Sequence, residues 1–205
     1  MFLENTGNTR QKKGWLEVIC GSMFSGKTEE LIRRLRRALI AKQVVRVFKP
    51  ALDRRYDDTD IVSHSSLRIP SQVVAKAAEI PSLVPEGVHV VGIDEAQFFD
   101  DEIVPVCREL ASRGIRVIAA GLEQDYLAKP FAVMMALMVE ADYVTKNLAI
   151  CVVCGNPAIR NQRTTEKSGQ ILVGGADAYE ARCRHCFRAG GSEPTPLFAP
   201  AGESR

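Results

Sequence analysis

The sequence predicts an α/β protein in which a mostly parallel sheet is covered by helices on both faces. Two observations carry this prediction. Apolar segments typical of buried strands alternate with segments of helical period along residues 15–150. The first strand is joined to the first helix by residues 21–28, which fit the phosphate-loop pattern G-x-x-x-x-G-K-S/T at every fixed position. In such a fold the ligand-binding loops lie at the carboxyl ends of the strands.

Each element is predicted from its own pattern. The helix at 29–42 carries leucine and isoleucine at amphipathic spacing, and the strands are short runs rich in valine and isoleucine. Ser71 is a candidate cap for a short helix. In chain order we predict a strand at 15–20, a helix at 29–42, a strand at 44–49, a short helix at 72–80, a strand at 87–94, a helix at 101–113, a strand at 115–121, a helix at 131–139 and a strand at 143–150.

The phosphate loop, residues 21–28, has the chemistry of a polyphosphate site. Gly21 and Gly26 let the backbone curl so that successive N–H groups point at phosphate oxygens. Lys27 brings a positive charge to the outer phosphates, and Thr28 offers a hydroxyl to the Mg²⁺ that accompanies them. An ordinary strand-to-helix turn with a surface lysine is the alternative. The residues expected to bind the phosphates of ATP are Gly21, Ser22, Met23, Phe24, Ser25, Gly26, Lys27 and Thr28.

The strand at 87–94 ends on two carboxylates, Asp94 and Glu95. An apolar strand that stops on an acid is the Walker-B pattern, in which Asp94 would hold the Mg²⁺ of the nucleotide. Glu95 is then placed to accept the proton of an attacking hydroxyl or water in a phosphoryl transfer. The alternative is that both acids merely end a strand in solvent, but a phosphate loop requires such an acidic partner.

Four of the six cysteines fall in two CxxC pairs. In a reducing compartment paired cysteines bind metal more often than they form disulfides, and this arrangement favours a four-thiolate zinc site. Because such a site has no open position, the zinc should be structural and should hold the segment 155–182. Cys20 and Cys107 stand alone in apolar segments and are expected to be buried core residues. The predicted zinc ligands are Cys151, Cys154, Cys183 and Cys186.

The composition excludes several classes of protein. With 27 basic and 25 acidic residues the net charge is +2, which does not indicate a nucleic-acid binder. No apolar stretch is long enough to span a membrane, and the polar start resembles no secretory signal, so we expect a cytoplasmic protein. The predicted domains are a flexible arm at 1–14, a phosphate-loop nucleotide-binding α/β domain at 15–150, a zinc-binding domain at 151–188 and a disordered tail at 189–205.

Six blocks occur in one order along the chain: GSMFSGKT at 21–28, KPALDRRY at 49–56, DEAQFF at 94–99, GLEQDY at 121–126, the paired CxxC motifs, and GGADAY at 174–179. Their combination closely resembles the type II thymidine kinases over roughly residues 15–188. The resemblance implies a RecA-like phosphate-loop fold with a small zinc-binding lasso domain. It implies transfer of the γ-phosphoryl of ATP to the 5′-hydroxyl of thymidine or deoxyuridine in DNA precursor salvage. It also implies a homotetramer that thymidine triphosphate inhibits. From the charge balance we expect no direct binding of nucleic acid.

The resemblance assigns roles to single residues. Glu95 is the base for the 5′-hydroxyl, Asp53 contacts the deoxyribose, and Arg55 lies near the transferred phosphate. Tyr126 packs on the pyrimidine, and Met23 lines the pocket for its 5-methyl group. The expected ATP-binding set is extended by Asp94, Glu95, Ala96, Gln97 and Arg55. The expected nucleoside-binding residues are Met23, Asp53, Phe98, Leu122, Tyr126, Phe131, Asn161, Gln170, Ile171, Leu172, Val173, Gly174 and Tyr179.

The chain departs from the pattern of the type II thymidine kinases at four of the positions compared. Ser22 stands where proline is usual, Glu123 where aspartate is usual, and Tyr126 where phenylalanine is expected, and none of these changes removes a catalytic group. Asn161 replaces a threonine that usually borders the methyl pocket. The preference between thymidine and deoxyuridine therefore stays open.

The main rival function is a phosphate-loop ATPase that acts on nucleic acid through a zinc ribbon. It predicts a basic groove with aromatic residues. Residues 151–186 instead contain Glu166, Asp177 and Glu180 among the basic side chains, and one tyrosine. A second rival is a kinase for another nucleoside. A third is a regulatory nucleotide-binding protein without turnover, and the intact Lys27, Asp94 and Glu95 argue against it.

Overall fold

The computed structural model describes residues 14–51, 60–62, 68–164 and 178–189, without the side chains of 60–62 and 68. In chain order the elements are β1 (Trp15–Gly21), α1 (Lys27–Ile40), β2 (Val45–Pro50), β3 (Asp60–Val62), β4 (Arg68–Pro70), β5 (Gln72–Val74), a 3₁₀ helix (Ala77–Leu83), β6 (Val90–Ile93), a second 3₁₀ helix (Ala96–Phe98), α2 (Ile103–Ser112), β7 (Arg116–Gly121), α3 (Ala132–Glu140), β8 (Tyr143–Asn147), β9 (Ala149–Ile150), β10 (Pro157–Ala158), β11 (Arg160–Arg163) and β12 (Tyr179–Arg182). Within these described residues, no helix has both the length and the apolar character needed to cross a bilayer.

Six strands form a central sheet in the order β5-β2-β6-β7-β1-β8. Every neighbouring pair in this sheet is parallel. Near its middle, Val18 of β1 lies opposite Ala119 of β7 and Val144 of β8. Because parallel strands end at one edge, the loops after β1, β6 and β7 meet there, which confirms the predicted arrangement.

Helices cover both faces of the sheet, as predicted. On one face α1 buries Leu31 and Leu35 completely, and on the other α2 and α3 bury Leu110 and Leu137. Each fully buried leucine stabilises the fold by about 1.5–3 kcal/mol relative to an exposed one. Cys107 lies in the same core, and burial raises the pKa of its thiol to about 12.

A buried ion pair fastens α1 to the sheet. Glu17 of β1 is fully buried, and its carboxylate accepts from Arg34 of α1 at 2.7 Å and from Arg116 of β7 at 2.6 Å. Burial acts to raise the pKa of Glu17, but hydrogen bonds from Arg116, Trp15 and Arg34 lower it overall. The carboxylate is therefore held ionised, and it fixes the position of the helix that follows the phosphate loop.

The chain leaves the central sheet after β8. β9 pairs antiparallel with β10, and β11 pairs antiparallel with β12. The segment predicted as one strand at 143–150 is therefore two elements, because Ala149 packs into a second small core beside the cysteines. We call the described residues 149–164 and 178–188 the cysteine module.

The predicted short helix at 72–80 is wrong. Gln72–Val74 is an edge strand that pairs with β2, and the helix that follows is a 3₁₀ helix with Lys76 rather than Ser71 as its N-cap. The two β-branched valines favour the strand, and Pro81 removes a helix hydrogen-bond donor. The other predicted helices and strands of the sheet are present with small shifts of their ends.

Candidate active site

The phosphate loop connects β1 to α1 at the edge where the parallel strands end. Gly26 caps α1 with φ of 77°, in the left-handed region that glycine adopts without strain. A Cβ at Gly21 would lie 2.5 Å from the carbonyl oxygen of Asn147 on β8. Both predicted glycines are thus required by the path of the backbone. Phe24 adopts φ of 62°, which costs an L-residue about 1–2 kcal/mol.

Lys27 and Thr28 of the loop have different partners: Lys27 bonds within the loop, and Thr28 faces the acid that follows β6. Lys27 Nζ donates across the loop to the carbonyl oxygen of Ser22 at 2.9 Å. Thr28 Oγ1 lies 3.4 and 3.3 Å from the two carboxylate oxygens of Asp94. Hydroxyl and carboxylate oxygens are the hard ligands that Mg²⁺ prefers, so this pair fits a magnesium ion.

Glu95 follows in a constrained backbone conformation. It adopts φ of 49° and ψ of 42°, and its N–H donates to Asp94 Oδ1 at 3.0 Å. The amide of Gln97 donates to the Glu95 carboxylate, and Gln97 Oε1 accepts from the N–H of Leu122 at 2.9 Å. A strained residue held by its neighbours is a common feature of functional sites.

Of the residues described above, Lys27, Thr28 and Glu95 meet at one cavity of about 220 Å³. Seven of its lining residues were predicted to bind phosphate or nucleoside. Glu29, in the first turn of α1, also lines it and was not singled out from the sequence, because an acid there is an ordinary helix-start residue. The lining residues are Met23, Phe24, Gly26, Lys27, Thr28, Glu29, Glu95 and Leu122.

Arg163 contacts both of the tyrosines that are expected to bind the pyrimidine, Tyr126 and Tyr179. The Arg163 guanidinium carbon lies 3.5 Å from the centre of the Tyr126 ring, and Arg163 donates to Tyr179 Oη at 2.9 Å. Arg163 is only 8% exposed. Sequence reasoning missed this residue, since nothing local distinguishes one arginine on a short strand from a surface arginine.

The remaining predicted residues lie in different surroundings. Ala96 and Gln97 are buried, and Phe131 packs against the main core just before α3. Phe98 ends the second 3₁₀ helix. The residues that lie outside the described part of the chain are Asp53, Arg55, Gln170, Ile171, Leu172, Val173 and Gly174.

The four cysteines of the two CxxC motifs form one cluster, and their sulfur atoms all lie within 4.8 Å of one another. The Cys154 and Cys183 sulfurs are 3.6 Å apart, close to the ~3.8 Å expected between thiolates at 2.3 Å from a tetrahedral zinc ion. Asn156 Nδ2 donates to Cys154 Sγ at 3.2 Å, and the Cys186 N–H donates to Cys183 Sγ at 3.4 Å. Donors aimed at sulfur are typical of thiolate ligands, so the cluster fits a single metal ion.

Comparisons with known proteins agree with this geometry. The family model described as thymidine kinase matches residues 14–187. A thymidine kinase of Rhodothermus sp. is 58% identical over 85% of this chain and 82% of its own length. Those of Bdellovibrio bacteriovorus and Bacteroides thetaiotaomicron are 53% and 50% identical over 89% and 94% of this chain, and over 90% and 97% of their own lengths. The chain therefore belongs to the thymidine kinase family.

Proposed function

We propose that the chain is an ATP:thymidine 5′-phosphotransferase that makes thymidine monophosphate, and deoxyuridine monophosphate from deoxyuridine, in DNA precursor salvage. The proposal rests on the family and on relatives named thymidine kinase that are 50–58% identical along most of the chain. The single structural observation that carries it is that Lys27, Thr28 and Glu95 line one cavity. Asp94 lies next to this cavity, with a carboxylate oxygen 3.3 Å from Thr28 Oγ1.

In this proposal the phosphate loop holds the triphosphate of ATP. Backbone N–H groups of the loop and the N-terminus of α1 face the phosphates, and Lys27 neutralises the outer oxygens. Thr28 and Asp94 would hold Mg²⁺, which would supply positive charge to offset the negative charge of the phosphates. Phosphoryl transfer requires little covalent chemistry from the protein, so positioning and charge account for most of the rate.

Glu95 is the proposed general base. Glu95 lines the same cavity as Lys27, and Gln97 donates a hydrogen bond to one of its carboxylate oxygens. An ionised carboxylate beside the γ-phosphoryl can accept the proton of the 5′-hydroxyl as that oxygen attacks. Asp94 is a poor candidate for this role, because its carboxylate is engaged with Thr28 and with the Glu95 N–H.

The nucleoside is proposed to lie on the side of the cavity lined by Met23 and Leu122. Tyr126 offers a ring for stacking on the pyrimidine, and Tyr179 stands beside it across Arg163. Family resemblance adds three further contacts to the proposal. They are Asp53 with the deoxyribose, Arg55 with the transferred phosphate, and residues 170–174 with the pyrimidine.

The remaining assignments follow from the same proposal. The four cysteines hold a structural zinc ion, which has no free position for substrate. The enzyme is expected to work in the cytoplasm as a homo-oligomer, with a tetramer as the family pattern, and to be inhibited by thymidine triphosphate. No direct binding of nucleic acid is expected, since the net charge of +2 supplies no strongly basic surface.

A coupled assay tests the proposal directly. ADP release is measured with ATP and Mg²⁺ in the presence of thymidine, deoxyuridine, deoxycytidine or single-stranded DNA. Release stimulated by thymidine, with an equal amount of thymidine monophosphate formed, is the expected result. Release stimulated only by DNA would overturn the proposal in favour of a nucleic-acid ATPase. Release stimulated only by deoxycytidine would make the chain a kinase for another nucleoside.

A further inference from the structure

Three consecutive residues of the phosphate loop contact the cysteine module. Ser22 Oγ donates to the carbonyl oxygen of Ala158 at 3.3 Å, and the Met23 N–H donates to Asn161 Oδ1 at 2.7 Å. The ring of Phe24 packs against the small core that contains Cys151. Residues 22–24 of the phosphate loop are therefore held by the cysteine module as well as by the central sheet.

Asn161 makes the shorter of the two hydrogen bonds to the phosphate loop. It lies on β11 and is only 2% exposed. Its Oδ1 accepts from Met23, and its Nδ2 donates to the carbonyl oxygen of Gln124 at 2.9 Å. One buried amide thus ties together the phosphate loop, the loop after β7 and the cysteine module.

The loop after β7 makes two further hydrogen bonds to residues at the start of β11. Gln124 Nε2 donates to the carbonyl oxygen of Ile159 at 3.1 Å, and Gln124 Oε1 accepts from Arg160. Gln124 is 8% exposed, so these bonds lie in a region with little competing water. Residues 159–161 are consequently a rigid support for both loops that border the cavity.

We propose that Asn161 is a positioning residue that couples the cysteine module to the phosphate loop, so that the module holds the ATP site in its binding conformation. The proposal rests on the proposed function, in which residues 21–28 bind ATP. Both polar ends of Asn161 are engaged by main-chain groups, which fits a role in positioning the two loops. We expect its effect on the nucleoside to pass through Met23, which lines the cavity.

The test compares Asn161→Ala with Gln162→Ala in the metal-loaded protein. Gln162 is the next residue on β11, is similarly buried and accepts from the Arg188 N–H at 2.9 Å, so its bonds stay within the cysteine module. Asn161→Ala removes the side-chain oxygen that accepts from the Met23 N–H, so the phosphate loop loses this support. We therefore expect a non-hydrolysable ATP analogue to bind about tenfold more weakly in calorimetry. Gln162→Ala should bind the analogue as the wild type does.

Hydrogen exchange supplies a readout that needs no turnover. In Asn161→Ala the amides of residues 22–26 should exchange faster, while the metal content stays unchanged. Asn161→Asp is a second variant in case the alanine variant fails to fold, because it keeps the side-chain size and the oxygen that accepts from Met23. It should bind the analogue with an affinity between those of the wild type and Asn161→Ala.

A different pattern would overturn the coupling. If both Asn161 variants bind the analogue and protect residues 22–26 as the wild type does, Asn161 does not position the loop. If they raise only the KM for thymidine, Asn161 acts on the base instead. These binding and exchange measurements do not depend on thymidine turnover, so they remain decisive even if the coupled assay overturns the proposed kinase activity.

Discussion

The side-chain amide of Gln97 is hydrogen bonded to the carboxylate of Glu95, two residues earlier. The other end of that amide accepts from the Leu122 N–H, at the end of a neighbouring strand. Gly121 makes this link possible, since a Cβ there would lie 2.7 Å from Gln97 Oε1. The orientation of Glu95 therefore depends on the register between β6 and β7.

The first prediction concerns this link. Gln97→Leu keeps the side-chain volume and removes both hydrogen bonds, so the Glu95 carboxylate should lose its fixed direction. We expect kcat for thymidine to fall by roughly 10- to 100-fold, since small misplacements of a catalytic group have effects of this size. Binding of an ATP analogue should change less than about twofold. Steady-state kinetics and calorimetry measure the two quantities.

An exposed glutamine provides the control for this variant. Gln72→Leu on the edge strand β5 should retain wild-type kcat. A Gln97→Leu enzyme with wild-type kcat would show that Glu95 is oriented without Gln97.

The features that the sequence predicts well are those whose pattern is local. The buried strand Val90–Ile93 is a continuous apolar run because both faces of the sheet are covered. The phosphate loop and the CxxC pairs are likewise defined by spacing within a few residues. By contrast, β5 is a three-residue edge strand, too short to show a period, and its pairing with β2 decides its structure.

The site contacts that were missed join residues far apart in the chain. Gln97 was expected to bind phosphate, but its link to Leu122 spans 25 residues and could not be read from either segment. The bond between Met23 and Asn161 spans 138 residues. The first contact depends on the pairing of β6 with β7, and the second depends on how the cysteine module packs against the phosphate loop. No periodicity in the sequence encodes either arrangement.

The second prediction tests the proposed base. Glu95→Gln keeps the shape of the side chain but removes the carboxylate that would accept the 5′-hydroxyl proton. We expect kcat to fall by a factor on the order of 10² or more, with nucleotide binding retained. Rapid-quench measurement of thymidine monophosphate formation isolates the chemical step. Glu102→Gln, an exposed acid before α2, is the matched control. Near-full activity of Glu95→Gln would exclude Glu95 as the base.

The third prediction concerns the metal. The purified protein should contain about one zinc ion per chain, as a four-thiolate cluster binds a single ion. Cys183→Ser should lose most of this zinc and unfold at a lower temperature, because binding energy at a structural zinc site stabilises the fold. Cys107→Ala, which changes a buried core thiol outside the cluster, should keep the zinc. Elemental analysis and calorimetry distinguish these outcomes, and full zinc content in Cys183→Ser would contradict the assignment.

The fourth prediction is a pH dependence. A hydrogen bond from Arg33 is the largest cause that lowers the pKa of Glu30, from 4.5 to about 2. Because the folded protein holds this carboxylate ionised more strongly than the unfolded chain does, the stabilisation is present above the unfolded pKa. It is lost as pH falls from about 4.5 towards 2. The unfolding free energy of Glu30→Gln should therefore decrease less steeply over this range than that of the wild type. Urea denaturation at a series of pH values measures both slopes, and equal slopes would contradict the assignment.

The last prediction concerns Arg163, which stacks on Tyr126 and donates to Tyr179. Arg163→Lys keeps the charge, but an ammonium cannot present a planar face to one ring while reaching the other hydroxyl. If these two tyrosines shape the nucleoside site, the KM for thymidine should rise about tenfold while the KM for ATP changes little. Arg184→Lys, an exposed arginine of the cysteine module, is the control and should leave both KM values unchanged. Initial-rate kinetics with each substrate varied in turn separate the two KM values. A thymidine KM lowered by Arg163→Lys would mean instead that the arginine competes with the pyrimidine for the face of Tyr126.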